Sequence, residues 1–278
     1  MRRRDFMKGI PSFLEFHRPT LERNEVRHNL TLGLLDRLAC DTEHSAVRLW
    51  TLGGPGECAM QTSPRNAIIL GELNQTQCRT LADETADLDY PGVVGCDPTV
   101  LWFVGRAVER GMTFAEPIPQ QIYALRDRPS YPQVGGVARV VDVADAELFG
   151  NWLIAFLKEA APYDALPTPD AVQKTAAAGH YRFWIVDEEP VSMAGIVRRT
   201  RHGAAIAGVY TPPALRNRGY AGAVTAAVVD GIFAEGRRMA CLYADLRNPA
   251  SNHCYVKIGF RPECRSSHYP AAARAAFQ

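Results

Sequence analysis

Between Ala204 and Ile232 the chain runs from an apolar strand through a proline stop and a glycine-arginine loop into a helix with an apolar face, and no other stretch limits the fold as strongly. The strand is Ala204-Ala205-Ile206-Ala207-Gly208-Val209-Tyr210; Thr211-Pro212-Pro213 ends it, because proline cannot continue a ladder. Tyr220, Val224, Ala227, Val228 and Ile232 then fall at helical spacing. The loop between them, Arg216-Asn217-Arg218-Gly219-Tyr220-Ala221-Gly222, offers free N–H groups at the positive end of a helix dipole, with no Cβ on its glycines to hold a ligand away. That is a cradle for an anion such as a phosphate. It is not a P-loop, since no Gly-Lys-Ser/Thr follows, and it lacks the GxGxxG spacing of a dinucleotide site. Glycines at such a turn also serve plain packing.

A second segment accompanies it. Met239-Ala240-Cys241-Leu242-Tyr243-Ala244-Asp245 reads as a strand, and Asn248 to Phe260 as a helix capped by Asn248, with Pro249 at its first position and Gly259 at its end. Arg216-x-x-Gly219-x-Ala221, followed by that strand and by Asn248-x-x-Ser251-Asn252-x-x-Tyr255-x-x-x-Gly259-Phe260, resembles the GCN5-related N-acetyltransferase (GNAT) family. The pair of motifs is specific and covers roughly the last half of the chain.

The resemblance implies an α/β fold of the α+β kind: a mixed, mostly antiparallel sheet flanked by helices, with a splayed strand pair that holds acetyl-CoA. It implies that the amides of Arg216, Asn217, Arg218, Gly219, Tyr220, Ala221 and Gly222 bind the pyrophosphate, and that the edge at Val209, Tyr210 and Thr211 pairs with the pantetheine arm. Asn248 and Asn252 match positions that meet the same arm. Tyr255 matches the general acid beside the thioester sulfur, a role suited to a phenol with an ordinary pKa of about 10, because the leaving thiolate needs a proton or a strong hydrogen bond. Cys254, next to it on the helix, points about 100° away.

The base is open. Several relatives use a glutamate on the strand before the cradle, and Ala204 to Thr211 contains no carboxylate. Asp245 ranks first as base because it ends a strand at the cleft; Glu188, Glu189 and His202 come after it, and a neutral amine needs none. The expected reaction is direct attack of an acceptor amine on acetyl-CoA in a ternary complex. The alternatives are a non-catalytic acyl-CoA sensor and a transferase for a larger acyl group. Fold resemblance does not choose the acceptor, which is a small-molecule or peptide amine.

Composition bounds the rest. With 278 residues and 47% hydrophobic content the chain has room for two domains. A net charge of +1 gives no general attraction to nucleic acid or to an anionic membrane. The cysteines, at 40, 58, 78, 96, 241, 254 and 264, are odd in number and never spaced CxxC, which reads as reduced thiols in a cytoplasmic protein without a metal site. Arg3-Arg4 imitates an export signal, but Glu15, His17, Arg18, Glu22 and Arg23 interrupt the stretch after it, and no transmembrane span is expected. A homodimer stays open.

Four segments are expected: a basic tail over 1–23, a first domain over 24–127, a Pro/Gly linker over 128–136 and a catalytic domain over 137–278. In the first domain a helix, three strands, a helix, a strand, a helix and a strand echo the second half. Its counterpart of the cradle is placed at Val94-Gly95-Cys96-Asp97-Pro98-Thr99, where an acidic residue and a proline serve an anion poorly. The expectation is a tandem pair of GNAT-like domains in which the first is degenerate.

Overall fold

The structure is a computed structural model and describes residues 9–40, 46–162 and 165–272. The chain divides into two compact units, one of the described residues up to Gln121 together with those from Cys264, the other of Ile122–Glu263. The segment from Cys264 onward thus joins the first unit, and the strand end and linker between Ile122 and Gly136 join the second; both differ from the expected boundaries.

In the first unit the helices are α1 (Ile10–Leu21), α2 (Asn29–Cys40), α3 (Gln75–Glu84) and α4 (Thr99–Glu109). Its strands are β1 (Arg48–Thr51), β2 (Cys58–Gln61), β3 (Ile68–Leu70) and β4 (Gly92–Cys96), followed by the start of β5 (Ile118–Leu125). β1, β2 and β3 form an antiparallel meander, β3 runs parallel to β4, and the last strand of the chain returns antiparallel to β4 with Ser266 opposite Cys96. Alternation along the strands fills two cores: Ile68 and Leu70 face Phe103 and Leu81, whereas Cys58, Met60 and Ile69 face Phe13 and Leu35.

Helix α1 corrects the expected tail. Ile10, Phe13, Leu14, His17 and Leu21 share one helical stripe and are buried. The dipeptide Arg3-Arg4 lies outside the described residues. Buried His17 accepts the Gly56 N–H at Nδ1 (2.9 Å) and so donates from Nε2 to the Thr51 hydroxyl (3.0 Å). Burial pushes the pKa of His17 down to about 4, and that of His28 likewise to about 4, there opposed by Glu72. A depressed histidine pKa means that the unfolded chain takes up protons first, so stability present above pH 6.5 is lost as pH falls toward 4. By about pH 5 the loss from His17 amounts to about 2 kcal/mol, with His28 acting in the same direction, measurable by urea unfolding against a neutral sample; a flat profile excludes it.

The second unit begins with the end of β5 and continues with β6 (Val137–Val140), α5 (Ala146–Ala160), α6 (Pro169–Ala177), β7 (Tyr181–Val186), β8 (Glu189–Arg199), β9 (Gly203–Tyr210), α7 (Tyr220–Ala234), β10 (Met239–Asp245), α8 (Pro249–Lys257) and β11 (Arg261–Pro270), of which the part up to Glu263 belongs here. Its strand order is β5-β10-β9-β8-β7-β6. β6 to β9 are antiparallel, and β9 and β10 are parallel with α7 as the crossover. Val224, Val228 and Ile232 of α7 pack on one sheet face with Ile196 and Ile206, while Phe149 of α5 and Val172 of α6 pack on the other with Phe183 and Met193.

Candidate functional site

β9 and β10 are paired only over their first halves. The register runs from Met239 opposite Gly203 to Leu242 opposite Ile206, yet the strands continue to Asp245 and Tyr210. The cause is local. Met193 lies opposite Tyr210 and Gly195 opposite Ala207, so β9 carries one residue more than β8 in this interval, a bulge in which Gly208 takes φ 64°. A side chain at Gly208 would meet the Tyr181 ring at 2.6 Å. The bulge turns Val209 and Tyr210 away from β10 and leaves a splayed pair.

The loop beyond Tyr210 is sharply shaped. Asn217 and Gly219 adopt left-handed φ values of 62° and 86°, and α7 starts immediately after. Among the described residues, the backbone N–H groups of Asn217, Arg218, Gly219, Tyr220, Ala221 and Gly222 have no acceptor; Ala223, which donates to the Gly219 carbonyl, is the first that does. Unpaired donors in series at a helix start suit an anion.

The glycines of this loop also serve packing: a Cβ on Gly219 would sit 2.9 Å from Val134 Cγ1, and one on Gly222 3.0 Å from Pro132 Cγ. The segment read as a linker is therefore an ordered strap over the cradle. It is held by Ser130 N–H on the Ile258 carbonyl (3.0 Å), the Tyr131 hydroxyl on Asp230 (2.5 Å) and Trp184 Nε1 on the Gly135 carbonyl (3.0 Å). Arg216, in turn, is engaged within the protein. Its Nε donates to the Thr211 carbonyl (2.9 Å), its Nη2 meets the Glu159 carboxylate (2.8 Å), and its guanidinium lies over the Tyr210 ring at 5.9 Å. Arg218 is exposed and makes no ion pair among the described residues.

In α8, Asn248 caps the helix by accepting from Ser251 N–H (3.1 Å). Asn252 was expected at the pantetheine arm, but its Nδ2 donates to the carbonyls of Asp245 and Asn248 (both 2.7 Å), and its Oδ1 accepts from the Tyr123 hydroxyl (2.9 Å). It is an internal bridge, with little capacity left for a ligand. Tyr255 is 8% exposed, between Tyr123 and Phe260, with ring centroids at 6.5 and 6.1 Å. Its hydroxyl has no hydrogen bond among the described residues, and burial pushes its pKa above the ordinary phenol value, so it stays protonated and able to donate. Cys254 packs under the cradle helix, where a Cβ on Gly222 would lie 3.5 Å from its sulfur; burial raises its thiol pKa.

Asp245 reaches the expected end of the splayed pair but is a poor base. Burial alone would raise its pKa, but bonds from the Arg247 N–H (2.8 Å) and guanidinium (2.9 Å) bring it below the ordinary carboxylate value. Asp245→Asn is accordingly expected to change kcat by less than about threefold, read from steady-state thiol release. His202 precedes Gly203 at the far end of β9, about 26 Å from Tyr210 by strand rise, which removes it as a candidate. Glu188 forms the tip of the β7–β8 hairpin at φ 68°.

The first unit has a counterpart of the cradle, although not at Val94 to Thr99. Because β3 is parallel to β4 with α3 between them, as β9 is to β10 with α7, the matching loop is Gly71-Glu72-Leu73-Asn74. There Asn74 and Gln77 form a capping box (3.0 and 2.8 Å) that occupies the helix N-terminus, and Glu72 adds negative charge. Arg27 bridges Glu72 (3.0 Å) to the Asp97 carbonyl (3.3 Å). Val94 to Thr99 instead matches the turn before α8. Tyr255 stands seven residues after its cap, Asn248; the same step from Pro98 reaches Gly105, which has no side chain. Neither the free N–H run nor the tyrosine is repeated there.

Among the described residues, no cluster of three or more metal-ligating side chains occurs, and no helix is long and apolar enough to cross a membrane.

Comparison with known proteins agrees with this topology. Residues 184–268 match the family described as FR47-like protein. A GCN5-related N-acetyltransferase from Kribbella flavida has 17% identity, coverage of 88% of this chain and 95% of its own, and a TM-score of 0.59. A Drosophila protein has 12% identity, coverage of 96% and 91%, and a TM-score of 0.62. A GCN5-related N-acetyltransferase-like protein from Streptococcus suis has 11% identity, coverage of 95% and 100%, and a TM-score of 0.53. No curated protein matches the chain. With β9, α7, β10 and α8 in the order of the motifs, and β3, α3, β4 and α4 repeating that order, the chain has the fold of the GCN5-related N-acetyltransferases in tandem, and its residues 184–268 match the FR47-like family.

Proposed function

We propose that the second unit is an N-acetyltransferase that uses acetyl-CoA to acetylate an amine. The observation that carries this reading is the splayed β9–β10 pair ending at a run of unpaired N–H groups, with a buried, protonated phenol on α8. The site fits the cofactor: the N–H groups of Asn217 to Gly222 and the Arg218 side chain hold a pyrophosphate, and Val209 offers a strand edge to an amide-bearing arm. Bound there, acetyl-CoA supplies an acyl group already activated as a thioester. The chain's part is to hold the acetyl carbonyl at the Val209–Tyr210 edge and to protonate the departing sulfur from Tyr255. With Asp245 held by Arg247, the acceptor enters as the neutral amine; the proton its nitrogen loses on becoming the amide goes to solvent, from which Tyr255 recovers the one it gives to sulfur. The first unit, its counterpart cradle occupied by the Asn74–Gln77 capping box and its counterpart of Tyr255 a glycine, has a structural role.

The test is release of free thiol from acetyl-CoA against a panel of small amines, amino acids and peptide amines, with binding measured separately by calorimetry. Acceptor-dependent release supports the transferase. Binding without it makes the chain an acyl-CoA sensor, and no binding overturns both.

A further inference from the structure

The hydroxyl of Tyr255 has no hydrogen-bond partner among the described residues, so its direction depends on the helix that carries it and the rings against it. One of those rings is Tyr123, on the last part of β5, buried and tilted 54° to Tyr255. Its own hydroxyl donates to Asn252 Oδ1 at 2.9 Å. The orientation of that amide is settled by its other end, since only an NH2 group can meet the carbonyls of Asp245 and Asn248 that both lie 2.7 Å away. Asn252 therefore ties three backbone elements at one point: the end of β10, the cap of α8 and, through Tyr123, the neighbouring strand β5. Asn252 precedes Tyr255 by three residues, which places both on one side of α8.

We infer that Tyr123 is a positioning residue for acyl transfer, acting on Tyr255 through Asn252; this rests on the transferase reading above. Without the Tyr123 hydroxyl, Asn252 Oδ1 is left unpaired in a half-buried place, and the β10–α8 turn loses its tie to β5. The helix then carries the Tyr255 phenol with a freedom the leaving sulfur does not tolerate, because small misplacements of a reacting group are costly. The cradle amides of α7 make no contact in this chain of bonds, so cofactor affinity is not involved.

The experiment is Tyr123→Phe, which keeps the ring and removes the hydroxyl, assayed beside Asn252→Ala and the double variant. The expected result is a kcat lower by roughly 5- to 50-fold with acetyl-CoA Kd within about twofold of the parent. The double variant falls no further than Asn252→Ala alone, because the two residues act as one unit. Hydrogen exchange quickens over residues 245–258 and not in α7. A lowered Tm with unchanged kcat makes the hydroxyl a stabilising group only and overturns the proposal, as do additive losses in the double variant. Absence of turnover in the parent with every acceptor defeats the transferase reading itself, and the positioning role with it, whereas an active parent and an equally active Tyr123→Phe defeat only the latter.

Discussion

Tyr255→Phe is expected to lower kcat by roughly ten- to a thousandfold, about 1.4 to 4 kcal/mol of transition-state stabilisation, while acetyl-CoA Kd barely moves. The asymmetry comes from where the hydroxyl sits. It is on α8, without a hydrogen bond among the described residues, so its removal breaks nothing in the folded protein and touches none of the unpaired N–H groups at the start of α7. The ring remains between Tyr123 and Phe260. What disappears is the donor proposed to meet developing negative charge on sulfur. The pH dependence has a sign as well. Burial raises the Tyr255 pKa, so the protonated form persists past the ordinary phenol value of about 10, and the parent protein keeps the proposed donor throughout the alkaline range in which amines become neutral. Steady-state thiol release with calorimetric Kd checks both points; unchanged turnover removes Tyr255 from the chemistry.

Gly219→Asp is expected to abolish measurable acetyl-CoA binding. Two effects combine, and a second variant separates them. Any side chain at Gly219 must accept φ 86° and press against Val134 at 2.9 Å, which costs on the order of 1–3 kcal/mol and is shared by Gly219→Ala. The aspartate adds a negative charge beside the N–H groups proposed to hold the pyrophosphate. At about 5 Å and an effective dielectric near 20 this repulsion is roughly 3 kcal/mol, or about a hundredfold in Kd. Calorimetry on both variants, after thermal melts show that each is folded, should find Ala weakened and Asp lost. Equal, tight binding by Asp refutes the cradle.

Much of the second unit is readable along the chain. α7 and α8 arise from apolar spacing, an Asn-Pro start and a glycine end, all signals that act over a few residues. Helix α1 is equally written, as Ile10, Phe13, Leu14, His17 and Leu21, but Glu15, His17 and Arg18 hide the stripe from a reading that weighs charge over period. The strap escapes a sequence reading for a different reason. Proline and glycine in Arg126 to Gly136 mark irregular backbone, and irregular backbone is not the same as unattached backbone once Pro132 and Val134 rest on two glycines some ninety residues later. The counterpart cradle is misplaced by sequence because order along the chain does not reveal which strands are parallel; the pairing of Ile68 with Val93 does.

The sequence by itself determined the local elements and, through them, the free donors of the cradle, since the first turn of a helix has no acceptor within the helix and Gly219 at the cap of α7 has no side chain to supply one. It also determined which helix carries a phenol. Tertiary structure alone decided that β9 and β10 part after Ile206, that Arg216 is tied to Glu159 and Asn252 to its own turn, and that Tyr123, 129 residues from Asn252 in sequence, stands behind Tyr255. Local propensity reaches about one helical turn, whereas these relations come from strand register and packing between segments whose sequences have no periodicity in common.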